Sequence, residues 1–81
     1  MRRSKAQLIF RILLACEIGQ SKTGIVNACK MNLYTVNPYL DILIKNRLLK
    51  AYSTKPTLYK ITDRGLEALQ HFRVLLELMS K

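Results

Sequence analysis

The most constraining feature of this sequence is a three-residue gap. Lys30-Met31-Asn32 separates two segments that each read as a helix, and so short a link is a tight turn. Ser21 and Asn32 are both good N-caps, because their side-chain oxygens can accept from a free amide of the first turn. After Ser21, a helix of roughly Lys22 to Cys29 places Ile25, Val26 and Cys29 on one face. After Asn32, a longer helix running to about Asn46 places Leu33, Val36, Leu40, Leu43 and Ile44 on one face, with Tyr39 at its border. Pro38 falls inside that helix, where it removes a hydrogen bond. Two readings stay open: the helix bends at Pro38, or Asn37 and Pro38 cap a helix that starts later. Asn46 is expected to end it in a left-handed conformation.

Other elements surround this pair. A first helix is expected from a Ser4 cap to about Ile18, stopped by Gly19. Its core face is Ile9, Ile12, Leu13 and Cys16, while Phe10 and Leu14 lie on another side, so it meets two partners. Gln20 to Lys22 can touch a sheet edge. Leu48 to Ser53 and Leu58 to Ile61 read as strands joined by the turn Thr54-Lys55-Pro56-Thr57, with Tyr59 and Ile61 on one face and Lys60 on the other. Thr62 caps a last helix with Asp63 in its first turn. Gly65 there costs about 1 kcal/mol of helix propensity, which implies close packing against a neighbour. The order helix, helix, tight turn, helix, hairpin, helix is a winged helix-turn-helix arrangement. The expected class is mainly α with a small β-hairpin, divided as a body of residues 1–61 and a C-terminal helix of residues 62–81.

Charge assigns jobs to these parts. Eighty-one residues is one domain, 49 % of it apolar, with a net charge of +9. Residues 1–60 hold eleven Lys/Arg and two acids, whereas residues 61–81 hold three of each. A basic body faces a polyanion and a neutral tail faces protein. Cys16 and Cys29 stand thirteen positions apart and His71 is the one histidine, so no zinc ligand set and no metal is expected. The two thiols read as small core side chains in a reducing cytoplasm. Arg2, Arg3 and Lys5 before an apolar run resemble an export signal, but Gln7 and Arg11 interrupt the run. No paired carboxylates, Ser/His/Asp set or Gly-rich phosphate loop suggests an enzyme or a cofactor.

Particular residues carry a resemblance. Lys22-Thr23-x-Ile25, Tyr39-Leu40-x-x-Leu43, Leu48-Leu49 and Tyr59-Lys60-Ile61-Thr62-x-x-Gly65 together resemble the archaeal winged-helix family of small transcription regulators and chromatin-associated proteins. In that family the last helix pairs into an antiparallel coiled-coil dimer. The resemblance spans about residues 5–70, and Arg47 stands where the family usually has Gly. It implies a homodimer on double-stranded DNA.

In such a fold the third helix lies in the major groove and the wing touches the backbone. Asn32, Tyr34, Thr35 and Asn37 are then expected to face base edges or phosphates. Arg2, Arg3, Lys5, Lys22, Thr23 and Lys55 are expected on phosphates, with the free amides of the second helix helping at Lys22 and Thr23. Leu69, Phe72, Leu76 and Met79 step as a heptad seam for the dimer, which Leu66, Leu75 and Leu78 broaden. Leu66 and Leu69 are also expected to close the core against the first helix. The competing reading is a winged helix used as a protein-interaction module within a larger transcription assembly, which +9 on the body disfavours. RNA is a weaker option, since the hairpin shows no evident aromatic stacking platform.

Overall fold

The computed structural model describes residues 5–79. The elements follow in the order α1 (Lys5–Ala15), β1 (Gln20–Ser21), α2 (Lys22–Cys29), α3 (Leu33–Lys45), β2 (Leu49–Tyr52), β3 (Leu58–Ile61) and α4 (Asp63–Met79). The first helix is shorter than its periodicity suggested: Cys16 to Ile18 form a turn, and Gly19 reverses the chain at φ +94°. Ser4, the expected cap of α1, lies outside the described residues, as do Arg2 and Arg3.

Both expected caps of the central pair form. Ser21 Oγ accepts from Gly24 N at 3.1 Å, and Asn32 Oδ1 accepts from Thr35 N at 2.8 Å. Helix α3 therefore starts at Leu33 and runs through Pro38, so the later start at Asn37 is excluded. Lys30 makes the tight turn in the left-handed region at φ 54°. Two expectations for α3 are corrected. Leu33 is not core: it is 45 % exposed, because the first turn projects past the body that Val36, Leu40 and Leu43 pack into. Asn46 does not take the left-handed conformation. It stays at φ −89° while its Nδ2 donates to Ile42 O, and Arg47 takes φ 62° instead.

The sheet is three-stranded and antiparallel, ordered β1-β3-β2. Ser21 pairs with Leu58 and Gln20 with Tyr59, which is the sheet-edge contact expected of that segment. In β3 the alternation holds: Tyr59 and Ile61 are buried and Lys60 is exposed. The core is Ile12, Leu13, Cys16, Ile25, Cys29, Val36, Leu40, Leu43, Leu49, Tyr59, Ile61 and Leu69. Among the described residues no polar or charged side chain is buried.

One threonine fastens α4 to this core. Thr62 Oγ1 donates to Arg47 O at 2.6 Å and accepts from Gly65 N at 3.0 Å, so one hydroxyl caps α4 and holds the end of α3. Leu69 then buries against the body, and the Phe72 ring meets Phe10 edge-on at 6.2 Å. That contact supplies the second partner that Phe10 required of α1. Leu66 does not close the core as expected; it is 40 % exposed, and buried Gly65 occupies the inner position one residue earlier.

Candidate nucleic-acid interface

Two clefts gather five of the eight candidate DNA-contact residues that the structure describes. The first lies between the start of α2 and the hairpin, has a volume of about 390 Å³, and is walled by Ser21, Lys22, Thr23, Pro56, Thr57 and Tyr59. The sheet register builds it, because pairing Ser21 with Leu58 sets the first turn of α2 against the residues that follow Lys55. Lys22 is half-buried with its Nζ 6.0 Å from the centre of the Tyr59 ring. Its ammonium is thus positioned over an aromatic face rather than left to sweep through solvent. Thr23 is exposed beside it, and Lys55 is exposed in the turn.

The second cleft runs along α3, has a volume of about 380 Å³, and is walled by Lys5, Tyr34, Thr35, Pro38, Tyr39 and Ile42. It brings Lys5 of α1 to the face of α3 that carries Tyr34. The four polar residues expected to face a duplex are not equivalent. Tyr34 is 89 % exposed. Asn32 is exposed, but its Oδ1 is engaged by both the amide and the hydroxyl of Thr35. These two side chains hold the helix start, which compromises them as base readers. Asn37 is half-buried and lines neither cleft.

The sequence reading missed other surface residues. Pro38 and Ile42 belong to the outer face of α3, four and eight residues after Tyr34. That signal was readable from the helical period once Leu33 is removed from the core set. On the hairpin, Lys50 and Lys60 are direct cross-strand partners, and both are exposed. Like charges directly opposite each other are destabilising, a repulsion that an anion lying across both would relieve. Tyr52 is 43 % exposed beside them, with Lys50 Nζ 5.4 Å from its ring centre.

The dimer residues also divide. Leu69 is 3 % exposed, so the core consumes it and it is not available to a partner. Phe72 and Leu76 are half-buried. The heptad seam is therefore largely the inward face of α4. Val74, Leu75, Leu78 and Met79 are 53–78 % exposed.

Among the described residues no group of three His, Cys, Asp or Glu is placed to hold a metal ion. Cys16 and Cys29 are buried thiols. Burial pushes the Cys16 thiol from its ordinary 9.0 up to about 12, and the neighbouring Cys29 adds to the shift. The thiol is thus held neutral in the native state but ionises from about 9 once unfolded. Its stabilising contribution is full below pH 9 and is lost as pH rises from there toward 12. Native protein at pH 8 should resist alkylation at Cys16, whereas protein in denaturant should react at once. Rapid native labelling at Cys16 would contradict its burial.

A helix-turn-helix followed by a hairpin that packs on the second helix start defines the class: this is a winged-helix domain. The chain belongs to the winged helix-turn-helix family, whose model matches residues 2–80. Solved structures share the fold. One is Sso10a-2, a DNA-binding protein from Sulfolobus solfataricus, at TM-score 0.90 and 24 % identity over 96 % of this chain and 83 % of that one. Another is BpsR of Bordetella bronchiseptica, whose DNA binding is regulated by 6-hydroxynicotinic acid, at TM-score 0.83 and 20 % identity over 98 % of this chain and 58 % of that one. A third is Sco5413, a MarR family transcriptional regulator from Streptomyces coelicolor, at TM-score 0.81 and 20 % identity over 89 % and 54 %. No curated protein sequence matches. Among the described residues no helix is long and apolar enough to cross a membrane.

Proposed function

We propose that this protein binds double-stranded DNA as a homodimer and acts as a transcription regulator or chromatin-associated protein, without a catalytic step. The observation that carries the reading is the joint placement of charge and fold. Residues 5–60, which form the helix-turn-helix and wing, carry nine Lys/Arg against two acids, whereas residues 61–81 are neutral. In this reading α3 enters the major groove. Lys22, Thr23 and Lys55 hold phosphates on either side of the first cleft, Lys5 holds one beside α3, and Lys50 and Lys60 add the wing face. Arg2 and Arg3, which lie outside the described residues, are assigned to phosphates on their charge alone. Residues 1–61 serve as the DNA-binding body, and residues 62–81 both close the core and reach a second copy. The thiols of Cys16 and Cys29 suit the reducing cytoplasm in which such a protein would work. The DNA-binding proteins among the solved structures with this fold support the same assignment.

The test is a titration of duplex DNA at several salt concentrations. Each neutralised phosphate contributes about 0.9 to the log–log slope, so a dimer should show a slope of roughly −4 to −8. Over a roughly fourfold rise in salt that slope corresponds to a loss of about two to five orders of magnitude in affinity. Lys22→Ala and Lys55→Ala should weaken binding on every sequence about equally and reduce the slope by about one for each phosphate lost. Binding that is absent at low salt, or indifferent to salt, would overturn the assignment.

A further inference from the structure

The outer face of α3 carries a stripe of apolar surface that phosphate binding does not use. Tyr34, Pro38 and Ile42 recur every four residues and so lie one above another along the helix. They wall a single cleft together with Lys5. Tyr34 is 89 % exposed and Ile42 51 %, while the core phase of the same helix is fully satisfied by Val36, Leu40 and Leu43. The stripe is therefore surplus to the fold. An Arg or Lys able to take guanine O6 and N7 is missing from the first three turns of α3, and the one exposed acid there is Asp41.

Major-groove base edges offer one apolar group, the C5-methyl of thymine. We infer that α3 reads thymine methyl groups through Tyr34, Pro38 and Ile42, so that the protein prefers grooves lined by methylated pyrimidines. This rests on the DNA-binding reading above and adds its specificity determinant. Charge selects the occupant. Lys5 lines the cleft, Lys30 is exposed in the turn before α3, and Lys45 follows Ile42 by three residues on the exposed side. An apolar protein surface would leave those cations without partners. A duplex presents methyl groups between two rows of phosphates and satisfies both. Asp41 belongs to the same arrangement: a carboxylate is repelled by phosphate but accepts from the amino group of cytosine, so it favours placing the middle of α3 over base edges.

The experiment compares duplexes that differ by one methyl per pyrimidine. An alternating A·T duplex is matched with its deoxyuridine counterpart, and an inosine–cytosine duplex with its 5-methylcytosine counterpart. Burying one methyl changes affinity about fourfold, or about 0.8 kcal/mol. The wild type should bind thymine over uracil by at least that factor at constant salt, and 5-methylcytosine over cytosine in the same direction. The second pair separates methyl contact from any change in duplex stiffness special to uracil. Tyr34→Ala combined with Ile42→Ala should abolish both preferences while leaving the salt slope unchanged. Both side chains are at least half exposed, so truncation leaves no cavity, and a circular dichroism melt serves as the folding control. Salt-dependent binding with equal affinity for methylated and unmethylated duplexes would overturn this inference and leave the DNA reading standing. Failure to bind any duplex at low salt would remove both. Loss of self-association in the double variant, with no methyl preference in the wild type, would assign the stripe to a protein contact instead.

Discussion

Gly65→Ala is expected to lower the thermal midpoint by roughly 10–20 °C, while Gly24→Ala leaves it unchanged or raises it. Both substitutions add one methyl group within a helix and gain about 1 kcal/mol of propensity. Their surroundings decide the sign. At Gly65 the added carbon would collide with the carbonyl oxygen of Leu48 and with the Ile61 side chain. Leu48 O cannot move freely, since it accepts from Thr62 N at 3.1 Å. Moving α4 away would open the Leu69 and Phe72 contacts. Overpacking of this kind costs about 1–3 kcal/mol, and each weakened hydrogen bond about 1 kcal/mol more. After the propensity gain, a net loss of about 2–3 kcal/mol remains, at about 4–8 °C per kcal/mol for a domain of this size. At Gly24 the nearest atoms to the added carbon all belong to the flexible Gln20 side chain, which can rotate away. Differential scanning calorimetry on the pair decides it. A Gly65→Ala midpoint within a few degrees of wild type would show that α4 does not seat on Leu48 as described.

The same glycine shows what the sequence could and could not disclose. A helix-breaking residue in the first turn of α4 signalled close approach, and the approach is there. Ser21, Asn32 and Thr62 were legible as caps because capping is a local chemistry that needs no knowledge of tertiary structure. The alternation of Tyr59, Lys60 and Ile61 fixed the inward face of β3 in the same way. Leu33 was misplaced because a helical period assigns phase, not depth: the residue has the core phase but sits where the helix has run past its neighbours. Asn46 was misplaced because its intrinsic tolerance for left-handed backbone is a tendency. The carbonyl of Ile42 captured its side chain, and Arg47 took up the reversal at φ 62°. The candidate site was legible in its charges and not in its grouping. That Lys22 stands over Tyr59, and that Lys5 joins Tyr34, depends on long-range contacts that spacing alone does not encode.

Leu75→Glu combined with Leu78→Glu is expected to convert the protein to a monomer and to reduce duplex affinity by about two to four orders of magnitude, the range by which linked binding sites exceed single ones. These two positions replace the more obvious pair on the heptad seam. Phe72 packs on Phe10 and Leu76 is half-buried, so a glutamate at either would damage the fold before it reported on association. Leu75 is 53 % exposed and Leu78 65 %, so an acid at either is expected to keep its charge in water and spare the fold. The case for a second copy rests on surface and charge. Val74, Leu75, Leu78 and Met79 place four apolar side chains in six positions, at 53–78 % exposure. Fully covering one of these side chains is worth roughly 1.5–3 kcal/mol, and a two-fold pairing covers eight. That scale competes with an association cost of roughly 4–15 kcal/mol. The segment 61–81 is electrically neutral, so two copies approach without the repulsion that the bodies would feel. Two-fold pairing also presents two α3 helices to one duplex, which couples the oligomeric state to DNA affinity. Sedimentation equilibrium should therefore give a dimer for wild type and a monomer for the double variant, with circular dichroism spectra that coincide. A wild-type monomer at tens of micromolar, roughly the range above any tight dimer constant, would overturn the assembly. A double variant that dissociates yet keeps full DNA affinity would show instead that one body suffices.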